Sequence, residues 1–419
     1  MQKLNSFKPL FQIVIVIFIS FIFISCSKPE ERKIKFWHFW SEPNQQKVLK
    51  SIISEFETKH NCKVEITELS WNDGKTKLFA AFNSGTAPDV IELGSDWVAQ
   101  FSSSGVLSEI HKDSIEIKKF IEFALAPSYW KNKIYSIPWI VDTRVLFYNK
   151  ELLRNAGLSE EPPKTIDELI IISGLVNNPD KVYGFGTNGS DPHRLYKKIL
   201  TFMWTRGGDV MDSAGNLVLY SDANIKAFSD YVTLTRYGYL ETQRQIDASF
   251  AKGKIAFWIS GGWLLEKIKN ENPSLDFALA LIPGTDNSNG ISFAGGEYLA
   301  INDKSEQKDL ALEFIKFMVD GENSIKFCKA IAEAGFPADK KYFNDEFFKT
   351  HPYKKVFAEQ LSYSKMTPVH PKWLEIEAII ENALVESLYG RKSPQGALLY
   401  AQKQINNILF PRVTVKGNR

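Results

Sequence analysis

The chain has 419 residues, 44% of them hydrophobic, 24% charged and 13% aromatic, with a formal charge of +2. A chain of this length buries a large core, and two or three domains are expected rather than one enlarged core. The charge falls to about neutral without Lys3 and Lys8, which argues against nucleic acid as a partner, and three cysteines cannot make a dense disulfide framework.

Residues 1 to 9 carry two lysines and no acid, and residues 10 to 24, "LFQIVIVIFISFIFI", are almost entirely apolar. That is the pattern of an export signal. As a helix the run spans about 22 Å, short against a bilayer core of roughly 30 Å. It stops at Ser25 and Cys26 and turns hydrophilic at "SKPEERK". The "FISC" stretch resembles a bacterial lipoprotein signal, with Phe23 where that signal usually has Leu. The resemblance implies a signal peptide over 1–25, lipid on Cys26 and a tether over 26–32. An uncleaved membrane anchor and a cleaved, lipid-free exported form are the alternatives. Several acyl chains would anchor durably, since each buried methylene contributes about 0.8 kcal/mol.

The body begins with "KIKFWHF" at 33 to 39, which reads as a strand, and Ser41, Glu42 and Pro43 mark a helix start. Val48, Leu49, Ile52, Ile53 and Phe56 share one face of that helix. "CKVEITEL" is a second strand, Trp71 to Asn83 a second helix, and "DVIEL" at 89 to 93 a third strand. This βαβαβ order favours a parallel sheet covered by helices. "DTRVLFYNKELLRNAG" at 142 to 157 reads as a strand entering a short helix, and Thr165 with Glu168 forms a capping box before "IDELIIISGLV". The stretch 197–260 is mainly helical and ends in the strand "KIAFWIS". "FALALIPG" and "EYLAI" are further strands, "KDLALEFIKFMVD" is an amphipathic helix, and helices near 373–389 and 394–407 precede a frayed "PRVTVKGNR". Cys62 and Cys328 are expected as core thiols. No repeat and no long low-complexity linker interrupts the chain, so its two lobes are expected to be joined by several crossings.

The pieces "FNSGTAPDVIEL", "KIYSIPW", "VLFYNKELLRNAG", "PPKTIDELI", "FAKGKIAFWISGGW", "GGEYLAI" and "ALEFIKFM" follow one another through residues 82 to 318. In this order the chain resembles the extracellular solute-binding proteins of ATP-driven (ABC) importers, in particular those for sugars and oligosaccharides. The resemblance covers nearly all of residues 33 to 390. It implies an α/β, two-lobed periplasmic-binding-protein-like fold of type II, each lobe a mostly parallel sheet flanked by helices, with a ligand cleft at the hinge. The first lobe would hold 33–141 plus 297–347 and the second 142–296 plus 348–419. The closed form would present both lobes to membrane permease subunits, facing the periplasm or the extracellular space. A monomer is expected, with no cofactor and no reaction.

A sugar pocket needs flat aromatic rings against C–H faces and fixed polar groups for hydroxyls that leave water. Trp40 and Glu42 follow the first strand and Asp96 the third, where α/β sheets commonly meet ligands. Asp142 and Arg144 sit at the expected first crossing, as ligand contacts or as a hinge ion pair. Trp204 and Asp209 flank the "RGG" turn. Trp258, Gly261 and Trp263 form the most suggestive group, with the two tryptophans on opposite sides of the strand unless the glycines bend the chain. Gly296 and Glu297 lie at the return crossing, and Trp373 opens a late helix.

Glycoside hydrolysis is the enzymatic rival, because it draws on the same aromatic and carboxylate groups. The chain lacks an eightfold strand and helix rhythm, however. The six histidines show no ligand-spaced pair and no HExxH, although His38 and His370 could meet near the cleft, and no GxSxG elbow is present. A peptide or polyamine binder is the other alternative, and the aromatic surplus favours carbohydrate.

Overall fold

The computed structural model describes residues 32–411 except 180, 190, 192 and 287. The leader, Cys26 and the expected frayed end after residue 411 lie outside the described residues. Strand β1 (Arg32–His38) buries Ile34, Phe36 and His38 in alternation, as a half-covered strand should. The helix Pro43–His60 follows, with Pro at its first turn, a reciprocal capping box between Glu42 and Gln45, and Leu49, Ile52, Ile53 and Phe56 buried at helical spacing. It ends at Asn61 in the left-handed region and feeds β2 (Cys62–Glu68). The second helix, Gly74–Ser84, starts three residues later than expected, because a turn closed by Gly74 N donating to Ser70 O (2.7 Å) takes up the segment containing Trp71. Strand β3 (Val90–Gly94) is buried throughout.

A small hairpin, β4 (Tyr129–Trp130) with β5 (Lys133–Ile134), precedes β6 (Ile137–Thr143) and β7 (Val145–Asn149). The rest of the strands are β8 (Tyr183–Asn188), β9 (Gly238–Glu241), β10 (Ile255–Ser260), β11 (Phe277–Ala280), β12 (Ser292–Ile301), β13 (Phe336–Pro337) and β14 (Ser364–Lys365). One sheet has the order β13-β6-β12-β3-β1-β2, with β14 beside β12. The other has the order β11-β7-β10-β8-β9.

Both sheets mix strand directions more evenly than the expected mostly parallel pattern. β1 is parallel to β2 and β3, but β12 runs antiparallel to β3 and β6. In the second sheet β8 is parallel to β9 and β10, whereas β7 is antiparallel to β10 and β11. The antiparallel partners are the segments that carry the chain between the sheets. β6 and β7 belong to different sheets and are separated by Arg144 alone. The return enters β12 at Ser292, so residues 292–296 sit in the first sheet, and β14 joins that sheet although it falls within the stretch expected in the second lobe.

Buried apolar side chains form two clusters, each drawing on both sheets. Helices Leu195–Thr205 and Asp222–Thr235 pack against each other and against the closing pair Trp373–Leu388 and Pro394–Leu409. Cys62 and Cys328 are both buried. Among the described residues no helix is long and apolar enough to cross a membrane.

Candidate functional site

A cavity of about 790 Å³ opens between the two bodies. Its first wall is built at the C-terminal ends of three neighbouring parallel strands: Trp40 lies just beyond β1, Trp71 beyond β2 and Asp96 beyond β3. Trp71, which the sequence reading assigned only to a helix start, stacks on Phe39 at 4.0 Å between ring centres and meets Trp97 edge-on. Asp96 accepts from the Tyr196 hydroxyl at 2.5 Å across the gap between the bodies. Burial would raise the Asp96 pKa, but Lys197, His193 and the Tyr196 hydroxyl outweigh it and hold the carboxyl below its usual range. Glu42 also lines the cavity.

The floor is the pair of crossing strands. Arg144 donates to Asp142 at 2.6 Å, and its guanidinium lies 5.0 Å from the Trp263 ring centre and 5.2 Å from that of Phe293. An arginine held between two rings keeps one fork and one orientation. Ser292 Oγ donates to Arg144 O at 2.7 Å, and Thr143 Oγ1 donates to Phe293 O at 2.9 Å, so the two crossings are stitched together. Beside them β12 has a bulge between Glu297 and Tyr298, and Glu297 lines the cavity. Burial raises its pKa well above the ordinary carboxylate range, reinforced by Asp142 and Glu92. Glu92 lies behind this wall, fully buried, and accepts from Phe39 N at 3.0 Å. Its pKa is raised to about 8 by burial. Gly296 serves strand packing, since a Cβ there would come within 2.2 Å of Ile140 O.

The opposite wall comes from the helices Leu195–Thr205 and Trp263–Glu271 and the segment before the first of them. Trp263 presents its ring to the cavity and donates its indole N–H to Asp247 at 3.0 Å. Gly261 permits this placement, because a Cβ there would lie 2.0 Å from the Trp263 ring. His193, Arg194, Lys197, Lys198 and Phe293 also line the cavity, and the sequence reading missed all five. Their signal was weak: His193 and Arg194 precede a helix, Lys197 and Lys198 lie in its first turn and Phe293 sits in strand β12, and only the fold carries them to the cavity. Trp97 Nε1 donates to His193 Nε2 at 2.8 Å, so the imidazole proton sits on Nδ1, 2.5 Å from Glu377. Burial lowers the His193 pKa to about 4. Asp96, His193 and Glu377 place ligand-type atoms within 4.8 Å of one another, but the hydrogen bonds just described occupy them.

A model of the bacterial extracellular solute-binding proteins matches residues 40–323, about two thirds of the chain. The chain belongs to that family. Among the relatives of this solute-binding protein, the diacetylchitobiose binding protein DasA of Streptomyces coelicolor is 27% identical, with 85% of each chain covered. The galactooligosaccharide-binding protein of Bacillus subtilis is 23% identical, with 86% of each covered. Among solved structures, an ABC transporter solute-binding protein of Thermotoga lettingae bound to α-D-tagatose superposes with a TM-score of 0.82 at 22% identity, covering 90% of this chain and 100% of the other. The GacH receptor of Streptomyces glaucescens gives 0.81 at 21%, covering 90% and 98%. The solute-binding protein therefore has the two-lobed fold of these structures, and its cavity lies where its two bodies meet.

Not every expected site residue of this binding protein reaches that cavity. Trp40, Glu42, Asp96, Asp142, Arg144, Trp263, Gly296 and Glu297 line it together. Trp258 does not: strand β10 is covered on both faces, and its indole is fully buried and bound to Asp247 at 2.7 Å. Gly261 shapes the Trp263 turn from outside the lining. Trp373 is buried edge-on against Tyr196. Trp204 is buried too and donates to Asp209 at 2.9 Å, closing a helix end beside a separate surface hollow of about 780 Å³. His38 is buried at the end of β1 and His370 lines that separate hollow, so the two do not meet in the cavity.

Proposed function

We propose that this solute-binding protein holds a carbohydrate in the cavity between its lobes and delivers it to the membrane subunits of an ABC permease. One observation carries the reading: the rings of Trp40, Trp71 and Trp263 share a cavity with Asp96, Asp142, Glu297 and Arg144. Rings cover the C–H faces of a sugar, and the carboxylates and the arginine fork satisfy the hydroxyls that leave water. The sugar ligands of the related proteins support the same class.

In this mechanism the solute enters an open cleft and rests against Trp263. Closure brings Trp40, Trp71 and Asp96 onto its other side. A solute that touches both walls shifts the population toward the closed form by its differential affinity. The lobes turn about the paired crossings at Asp142–Arg144 and Ser292–Glu297, and lipid on Cys26 keeps the body beside its membrane. No bond of the solute is made or broken.

A thermal-shift screen of mono-, di- and oligosaccharides tests the reading, with polyamines and short peptides as the opposing class. Stabilisation by one carbohydrate group is the expected result. Stabilisation by a polyamine or peptide alone, or cleavage of the sugar during incubation, would overturn it.

A further inference from the structure

The charges that line the cavity are unequally committed. Its acids are engaged: Asp142 holds Arg144, Asp96 accepts from Tyr196, and Glu333 accepts from Gln45. Behind the wall, Asp247 accepts from Trp258, Ser260 and Trp263. Glu297 is pushed toward its neutral form by burial and by the neighbouring acids.

The cations of the facing wall act on the acids only at a distance, Lys197 on Asp96 and Lys198 on Asp247. Among the described residues, Arg194, Lys197 and Lys198 have no carboxylate within ion-pair distance, in contrast with Arg144 and with Lys267, which pairs with Glu271. Lys198 is 1% exposed, yet it borders the cavity. Its ammonium has one long contact, to Gln243 Oε1 at 3.5 Å, and otherwise lies over the rings of Trp258 and Trp263 at 5.0 and 6.0 Å. Lys197 lies over Phe293 at 5.2 Å, and Arg194 reaches Asn72 across the cavity at 2.9 Å.

The carboxylate that acts on the Lys198 ammonium is Asp247, but its two oxygens are taken up by Trp258, Ser260 and Trp263, so the three ammonium donors are left with the long contact to Gln243. Burial, and then Arg144, drives the Lys198 pKa well below its ordinary value against the opposing pull of Asp247. An anion entering the cavity would take up these donors and offset the neighbouring cations Arg144, Lys197 and Arg194, and a neutral sugar would supply no charge. The rings of Trp258 and Trp263 hold the ammonium in place without satisfying it.

We infer that the solute carries an anionic substituent, a carboxylate, sulfate or phosphate borne on a sugar, which is received by Lys198, Lys197 and Arg194. This rests on the carbohydrate reading above and narrows it to acidic sugars. Arg144, already neutralised by Asp142, serves the hydroxyls beside that substituent.

Titration calorimetry on the purified full chain tests the assignment. The probes are galacturonate and digalacturonate for the carboxylate, galactose 6-sulfate for the sulfate and galactose 6-phosphate for the phosphate, with galactose and galactobiose as neutral counterparts. One acidic probe should bind at least tenfold more tightly than its neutral counterpart. That preference should shrink between about 0.05 M and about 0.5 M sodium chloride, and it should be lost in both Lys198→Met and Lys197→Met. Met at 198 replaces a buried charge by an apolar chain of similar length and is expected to fold. The salt series on the unaltered chain provides a measure that needs no variant. Equal or tighter binding of the neutral sugars would overturn the anionic assignment and leave the carbohydrate reading standing. Failure of every sugar, acidic and neutral, would overturn both.

Discussion

The indole nitrogen of Trp263 donates to one oxygen of Asp247 at 3.0 Å, while Trp258, fully buried, donates to the other at 2.7 Å. One carboxylate thus ties a ring that faces the cavity to a ring that belongs to the core. The cavity wall is as firmly placed as the strand beneath it.

The Trp263 ring carries the first prediction. Trp263→Ala should weaken binding of the preferred sugar at least tenfold, with a thermal midpoint close to that of the unaltered chain. Calorimetry of both proteins measures it, and an unchanged affinity would remove Trp263 from the site.

Asp247→Ala should act on stability. It strands two indole N–H groups and the Ser260 hydroxyl, and a loss of about 3 kcal/mol is expected. Urea unfolding measures the difference, and a loss within error of zero would show that the three donors find other acceptors.

Glu92 sets a pH dependence. Its pKa is about 8 in the folded chain against an ordinary 4.5, so between these values the folded state holds a proton that the unfolded state has released. The stability this brings is fully present below about 4.5 and is lost as pH rises through about 8. Glu92→Gln removes the titration. The melting temperature of the unaltered chain relative to this variant should therefore fall between pH 5 and pH 9, which differential scanning calorimetry can follow; a constant difference would contradict it.

Cys26→Ser should release the protein from the membrane fraction and abolish its labelling by radioactive fatty acid. Retention with label intact would refute the lipid reading of the leader.

The parts of the site that were legible in the sequence are those set by local rules. Trp40 stands just after the strand β1, whose alternation is plain, Asp96 just after the short, mainly apolar run of β3, and Gly261 before Trp263 announces a bend. The assignments that moved depended on which face of an element is covered. Trp258 sits in a strand buried on both sides, where alternation no longer separates an inner from an outer ring. Trp373 opens a helix whose neighbour, Leu195–Thr205, lies far earlier in the chain, so nothing local says that the ring will meet Tyr196. Lys198 was invisible for the opposite reason. It reads as an ordinary polar helix residue, and only the approach of Trp258 and Trp263 takes it out of water. The strand directions of β6 and β12 were likewise beyond local pattern, because antiparallel return strands carry the same apolar residues as parallel ones.

Arg144 is the single residue between β6 and β7, and it is also part of the cavity wall. In the proposed closure, whatever settles in the cavity therefore presses on the axle of the molecule rather than on its rim. Around an axle, a displacement too small to matter locally becomes a wide sweep at the outer edges. Those distant edges are where a neighbouring protein could sense whether the vessel is full.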